Sequence, residues 1–310
     1  MNYNFFIVGG DLRILHLSKL LKKEGHNVKV LGFDKILQLD KNLYKEIQDL
    51  KIGVANSINE ASETDVVISS IPLSIDGENI YAPHSNKEIP LNALKRKKFI
   101  AGKITNDIIN KIYENEKVNI LNEQVDQINI QTEKENITLY DILKDEPNII
   151  LNTLPTAEGA IARAIEDTTF NITNANVLVL GFGNVGKTLC KKLKDAGANV
   201  YAEARKQKDL AWIEVYGYTP IHLENLKENV CKMDIVFNTV PYMILDKSTL
   251  ILMSKETLII DLASKPGGVD FETAKKLGIK AYLYSGIPGK IAPKTSAEYI
   301  VKYVKEKLVE

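Results

Sequence analysis

Cysteine is nearly absent: Cys190 and Cys231 are the only two in 310 residues, too few for a disulfide scaffold and in no spacing that holds zinc. An excess of one charge is also missing, because 40 basic side chains meet 40 acidic ones. No global field therefore draws the chain to nucleic acid or to anionic lipid. The longest apolar runs, around Phe5–Val8 and Val177–Leu180, fall far short of the ~20 residues that cross a bilayer. No basic region precedes the first strand at Met1-Asn2-Tyr3-Asn4, so no secretory leader is expected and the chain reads as cytoplasmic. Arginine is scarce, with Arg13, Arg96, Arg163 and Arg205 alone among 40 basic residues. Each places a planar multi-donor fork where lysine is the default. The histidines His16, His26, His84 and His222 are scattered without a metal-type pair, and no metal site is expected.

What is present is an ordinary globular balance, 45% hydrophobic and 26% charged. At 310 residues the chain exceeds what one core usually supports, roughly 250–300 residues, so two domains are expected. Short apolar runs alternate with helical patterns throughout, the signature of parallel sheets with helical crossovers. In the first half the strand-like runs are Phe5–Val8, Val28–Leu31, Asp65–Ile71, Lys98–Ala101 and Val118–Leu121. In the second they are Val177–Leu180, Val200–Ala204, Thr219–Ile221, Ile235–Asn238, Thr257–Asp261 and Lys280–Tyr284. Helices are expected at 156–167, 185–196, 207–215, 223–231, 270–277 and 293–308. The weakly patterned stretch 123–147, with Glu133-Lys134-Glu135-Asn136, places the link there. The expected domains are 1–150 and 151–310, with helices 156–167 and 293–308 as candidates to pack back on the first. The fold class is α/β: two doubly wound parallel-sheet lobes with a cleft between them.

The second lobe carries the strongest motif. Gly181-Phe-Gly183-Asn184-Val185-Gly186 follows an apolar strand and opens a helix, the context in which G-x-G-x-x-G marks a Rossmann dinucleotide-binding domain. Gly181 permits the tight turn, Gly183 leaves room for a pyrophosphate, and Gly186 lets helix and strand pack closely. The amides of Asn184 and Val185 are placed to donate to the phosphates. The next strand ends Glu203-Ala204-Arg205-Lys206, about 20 residues on, where NAD enzymes carry an acid on the ribose. Strand-end alignment puts Ala204 at that position, with Arg205 and Lys206 beside it to bind a 2′-phosphate. NADP is therefore expected, with NAD the alternative. Glu203, one register step earlier, is expected to turn to the other face; pointing at the ribose, it favours NAD.

Two more strand ends belong to the same sheet edge. Thr239-Val240-Pro241 is expected to line a cofactor ribose, and Ser264-Lys265 brings a hydroxyl and an amine to the nicotinamide position. No histidine follows His222, which argues against the His–carboxylate pair that D-2-hydroxyacid dehydrogenases need. Thr156, at Pro155-Thr156-Ala157-Glu158-Gly159, reads as a helix N-cap or a hydroxyl donor. Lys290 and Lys294, in a Gly- and Pro-rich turn, suit an anionic substrate. Arg13, after Gly9-Gly10-Asp11, either faces the cleft or pairs with Asp11. His84, in the long polar segment Pro72–Pro90, is the one histidine with a functional reading beside the surface one.

Gly9-Gly-Asp-Leu-Arg13, Gly32-Phe-Asp34, Leu154-Pro-Thr-Ala-Glu-Gly159, the Gly181 loop, Ser264-Lys-Pro-Gly-Gly-Val-Asp-Phe271 and Gly286-Ile-Pro-Gly-Lys-Ile-Ala-Pro-Lys-Thr295 occur in this order. In that set the chain resembles the dipicolinate synthase A-subunit family of spore-forming bacteria over nearly its whole length, apart from 35–65 and 123–147. The resemblance implies an oxidoreductase that aromatises dihydrodipicolinate to dipicolinate in the mother cell, working with the B subunit of dipicolinate synthase. Such a substrate is a small dicarboxylate and demands cations. Arg13, Thr156, Lys290 and Lys294 are the expected substrate-binding residues, and Ser264 and Lys265 the expected catalytic ones. A homo-oligomer is left open. A nucleotide-sensing regulatory protein without catalysis and a 2-hydroxyacid-type dehydrogenase are the alternatives.

Overall fold

The computed structural model describes every residue except 62, 63, 95–97, 115, 134 and 310. Lys134, inside the stretch expected to link the domains, thus lies outside the described residues. The chain divides into two compact units, Met1–Leu151 with Ala292–Glu310, and Asn152–Ile291. The C-terminal helix Pro293–Val309 belongs to the first unit, whereas helix Thr153–Asp167 stays with the second.

The first unit holds β1 (Asn4–Val8), β2 (Asn27–Leu31), β3 (Gly53–Val54), β4 (Val66–Ser69), β5 (Lys98–Ala101), β6 (Asn119–Glu123), β7 (Gln127–Gln131) and β8 (Asn136–Asp141). They form one sheet in the order β3-β2-β1-β4-β5-β8-β7-β6. The sheet is not wholly parallel as expected, because β6 with β7 and β7 with β8 run antiparallel. β6 falls on the expected strand Val118–Leu121, whereas β7 and β8 occupy the stretch read from sequence as a linker. Buried Ile128, Ile130, Ile137 and Leu139 alternate with polar Gln127, Asn129, Gln131 and Thr138, the period of a strand with one buried face. Helix Pro293–Val309 joins this unit by burying Ala297, Ile300, Val301 and Val304 against Ile14, Leu17 and Leu21 of helix Leu12–Lys23. Their spacing of three, one and three residues is a single helix stripe.

The second unit holds β9 (Asn176–Leu180), β10 (Asn199–Ala204), β11 (Thr219–His222), β12 (Ile235–Asn238), β13 (Leu258–Asp261) and β14 (Lys280–Leu283). All neighbours are parallel, in the order β11-β10-β9-β12-β13-β14. This is the doubly wound arrangement of dinucleotide-binding sheets, reversing between β9 and β12.

Both units repeat one clamp at the amino edge. The N–H of Asn4 donates to the Asp65 carboxylate at 2.7 Å, and Asn27 Nδ2 donates to Asn4 Oδ1 at 3.0 Å. In the second unit the N–H of Asn176 donates to the Asp234 carboxylate at 2.7 Å, and Asn199 Nδ2 donates to Asn176 Oδ1 at 3.2 Å. The asparagines are 23 residues apart in each case. A similar device closes the carboxyl end of β8. Asp141, 2% exposed, accepts from the N–H groups of Lys103, Ile104 and Leu143 at 2.8–3.0 Å, fixing the turn after β5. Asp141→Ala strips the acceptor from these donors and is expected to cost ~3 kcal/mol, read as a lower urea midpoint at unchanged m. A loss below about 1 kcal/mol would show that water replaces the carboxylate without penalty.

Candidate dinucleotide site

β9 is flanked by β10 and β12, so the chain leaves Leu180 where the strand order reverses, the ligand crevice of open α/β sheets. The three glycines that follow have different reasons to be glycine. Gly181 sits at φ +88°, and a Cβ there would meet Thr239 Oγ1 at 2.7 Å. A Cβ at Gly186 would overlap the carbonyl oxygen of Gly181, so helix Asn184–Asp195 starts against the strand only because that side chain is missing. Gly183 is different. Its backbone is extended, at φ −81° and ψ −164°, which any residue adopts, and a Cβ would meet nothing within 4 Å. Nothing in the protein requires glycine at 183; open space is what a diphosphate needs to approach. The helix has no side-chain cap, so the leading amides of Asn184 and Val185 remain for an anion at the positive end of the dipole.

Beside this loop lies a cavity of about 740 Å³. Gly181, Gly183, Ala204, Arg205, Lys206, Thr239, Val240 and Pro241, expected from sequence to bind a cofactor, all line it; Asn184, Val185 and Gly186 form the helix start and do not. Arg205 and Lys206 are exposed, and neither side chain has a hydrogen-bond or ion-pair partner among the described residues. Two of the lining acids are engaged: Asp246 accepts from Ser248 Oγ at 2.8 Å and the Thr249 N–H at 2.9 Å, and Glu224 lies 3.5 Å from His222 Nδ1.

Glu203 corrects the sequence reading. It takes the face of β10 opposite Ala202 and Ala204, which are in the core with Val200, but that face borders the cavity. Its side chain is 2% exposed. Oε2 accepts from the Gly181 N–H at 3.1 Å, while Oε1 is buried without a partner. Burial pushes the Glu203 carboxyl up, against the opposing pull of the Gly181 N–H, Arg205 and His222.

The two further strand ends are tied together by buried polar side chains that sequence reasoning passes over. Asn238 Nδ2 donates to Asp261 Oδ1 at 2.8 Å and to the Val240 carbonyl at 2.9 Å, and Asn238 Oδ1 accepts from the Val240 N–H. Asp261 also accepts from the N–H groups of Ala263 at 3.0 Å and Gly268 at 2.8 Å. Both side chains have 0% exposure. Their signal in the sequence is a polar residue closing an apolar strand. They stiffen the loop that carries exposed Ser264 and Lys265.

The expected substrate-binding residues are distributed over both units. Thr156 is not an N-cap: the helix starts three residues earlier, at Thr153, and Thr156 Oγ1 donates back to the Asn152 carbonyl at 2.8 Å. Gly159, in the same motif, has a packing reason, since a Cβ there would overlap Ile287. Lys290 donates to the Ser285 carbonyl at 2.9 Å and lies over the Tyr284 ring. In the first unit, Lys294 is exposed on the first turn of helix Pro293–Val309. Arg13, also there, pairs with Asp11 through Nε and Nη2 and donates from Nη2 to the Ile71 carbonyl at 2.8 Å.

Residues 4–123 match the family model for the N-terminal domain of the dipicolinate synthase A subunit. Residues 155–266 match the D-isomer specific 2-hydroxyacid dehydrogenase, NAD binding domain. The dipicolinate synthase A subunit of Bacillus subtilis (strain 168) is 33% identical over 306 residues, 98% of this chain and 95% of that protein. The crystal structure of the dipicolinate synthase A subunit from Bacillus halodurans matches 99% of this chain and 98% of that one, with a TM-score of 0.81 at 29% identity. That of the A chain of the synthase from Bacillus subtilis matches 100% and 96%, with a TM-score of 0.78 at 29% identity. The second unit is thus a dehydrogenase-type NAD(P)-binding domain. No helix among the described residues is long and apolar enough to cross a membrane.

The glycines allow packing and ligand contact to be separated. Gly183→Ala is expected to leave the melting temperature unchanged and to weaken coenzyme binding at least about tenfold, measured by fluorescence titration. Gly186→Ala is expected to cost about 1–3 kcal/mol of stability through its backbone overlap. Unchanged coenzyme affinity in Gly183→Ala would remove the diphosphate from this loop.

Proposed function

The chain belongs to the dipicolinate synthase A-subunit family, and we propose that it oxidises dihydrodipicolinate to dipicolinate with NADP as hydride acceptor. In this reading it acts with the B subunit of the synthase, in the cytoplasm of the mother cell during sporulation. The observation that carries the proposal is the open space at Gly183 beside an uncapped helix start, in a chain whose relatives are named as dipicolinate synthase. Bound there, the nicotinamide supplies a two-electron acceptor. The rest of the work is positioning. Loss of a hydride and a proton from a dihydropyridine yields an aromatic ring, so product stability drives the reaction and geometry sets its rate. Asp261 and Asn238 hold the Ser264–Lys265 loop at the carboxyl end of β13, from which the hydroxyl and the ammonium meet the substrate. Arg13, Lys290 and Lys294 are the cations proposed for the substrate carboxylates, whereas the one hydroxyl proton of Thr156 is already given to the Asn152 carbonyl.

The choice of NADP rests on Arg205 and Lys206, two cations at the cavity without hydrogen-bond or ion-pair partners among the described residues; of the four lining acids, Glu203, Asp209, Glu224 and Asp246, Glu203 ends the ribose strand, and its burial favours its neutral form. Charge-assisted bonds to a 2′-phosphate then outweigh the repulsion from Glu203. Purified chain, a candidate B subunit, NADP and freshly generated dihydrodipicolinate are expected to give dipicolinate, followed by its absorbance. No coenzyme-dependent product with any partner would remove the reading. Arg205→Ala is expected to weaken NADP by roughly tenfold or more while leaving NAD nearly unchanged. Glu203→Gln is expected to shift preference further toward NADP. Equal losses of both coenzymes in Arg205→Ala would contradict the assignment.

A further inference from the structure

The first unit repeats part of the strand order of the second, β3-β2-β1-β4 against β11-β10-β9-β12, yet it closes one half of the crevice and keeps the other. A Cβ at Gly9 would meet Ile80 Cγ2 at 2.7 Å and the Tyr81 carbonyl oxygen at 3.0 Å, and the Gly10 N–H donates to that carbonyl at 2.7 Å. Residues 80 and 81 thus fill the space beyond β1 that a diphosphate would need. Past the ends of β2 and β3, however, lies a cavity of about 450 Å³, within the ~300–1,000 Å³ of small-molecule sites. Its walls come from the first unit alone. In the second unit the coenzyme cavity takes the corresponding place past β10 and β11. The wall of the first-unit cavity is tied down. The Lys35 N–H donates to the His84 carbonyl at 2.9 Å, the Asn86 N–H to Asp34 Oδ2 at 2.9 Å, and the Ile80 N–H to the Ile89 carbonyl at 2.8 Å. Gly32, at φ +85°, lets Ile89 in, since a Cβ there would meet Ile89 Cδ1 at 3.0 Å.

We propose that this cavity binds an uncharged nucleoside: Asp34 Oδ1 accepts from the ribose hydroxyls, and the base lies against Leu31, Ile58 and Ile89. Asp34 is half-buried and lines the cavity. Asn86 takes one carboxylate oxygen, and the other has no hydrogen-bond partner among the described residues. An acid after the second strand is the group that accepts from a ribose diol. The apolar wall is continuous with the core, because Ile89 is buried and Leu31 and Ile58 pack against the same cluster; it offers a flat base a surface to leave water for. Charge sets the ligand class. Counted from the clamp asparagines Asn4 and Asn176, Phe33 and Asp34 stand where Arg205 and Lys206 stand in the second unit. Two cations that suit a phosphate are thus replaced by a buried ring and an acid. The charged residues lining the cavity are Asp34, Lys87 and Glu88, an acidic balance that disfavours a phosphate or a dicarboxylate. The proposal is independent of which substrate the chain oxidises.

The test is calorimetric titration of the full chain with adenosine in the presence of saturating NADP, which occupies the coenzyme cavity. The phosphates of NADP keep it out of the first-unit cavity, so one adenosine site with a Kd of about 0.1 mM is expected to remain. 2′-Deoxyadenosine, which lacks one hydroxyl, and AMP, which adds a phosphate, are each expected to bind about tenfold more weakly. Ribose alone is expected to give no measurable heat, because the base supplies the apolar contact. Asp34→Asn keeps an acceptor for the Asn86 N–H and is expected to weaken adenosine about tenfold, with melting temperature and NADP affinity unchanged. Asn56→Trp fills the cavity from an exposed lining position and is expected to abolish adenosine binding; it carries the test if Asp34→Asn does not fold. The two variants also tell the cavities apart in a chain that takes NAD instead, since neither touches the coenzyme cavity. Adenosine that fails to bind the NADP-saturated chain, or that binds both variants as tightly as the wild type, overturns the proposal. AMP or ribose binding more tightly than adenosine overturns it as well.

Discussion

The carbonyl oxygen of Gly181 occupies the place where a side chain at position 186 would begin, and the coenzyme unit is built on that contact. It brings the first turn of helix Asn184–Asp195 directly over the end of β9, with Leu189, Cys190 and Leu193 fully buried behind it. Once the helix is seated there, its free amides and the positive end of its dipole are fixed at the reversal point of the sheet. The loop between them has no room to wander, so the open space at Gly183 is a built feature. Cys190 contributes only volume, since burial pushes its thiol up to about 12 and leaves it a small apolar group at any physiological pH.

A second constraint operates where strands end. The turn after a strand leaves main-chain N–H groups outside the ladder, and a buried donor without an acceptor is costly. This chain answers with carboxylates. Asp141 gathers such donors after β5, and Asp261 gathers them after β13 with Asn238 as a bridge to β12. Each carboxylate accepts several N–H bonds, which replace much of its lost hydration. The result is loops tied to the strand ends by several hydrogen bonds each. For Ser264 and Lys265 that matters, because groups on a mobile loop spend binding energy on their own ordering.

Periodicity makes most of this fold legible. Continuous apolar runs such as Val177–Leu180 and Ile235–Asn238 mark buried parallel strands, and the glycine spacing locates the dinucleotide loop. The hairpin of β7 and β8 escapes that reading because its polar positions, Asn129 and Thr138 among them, dilute four buried apolar residues into what reads as a polar linker. Helix Pro293–Val309 follows the second sheet in sequence, and nothing local tells which core its stripe will meet; Ile14 and Leu17 decide it. Thr156 reads as a cap and is none, because the helix starts three residues earlier, at Thr153. Glu203 illustrates a different limit. Alternation places it on the correct face of β10, but which face borders a cavity is a tertiary fact.

The amino-edge clamp of paired asparagines and an aspartate appears in both units at the same 23-residue separation, and a glycine with positive φ follows the first strand in both. One frame therefore supports two uses, and the difference lies at the opposite edge of each sheet. In the second unit the first glycine's N–H is given to Glu203 and the space ahead is left open. In the first unit Gly10 gives its N–H to Tyr81, and residues 80–84 close the space with the chain itself. Covering a glycine loop with its own polypeptide removes the diphosphate site but leaves the sheet's carboxyl edge, where successive strand ends bring side chains together, free to carry titratable groups.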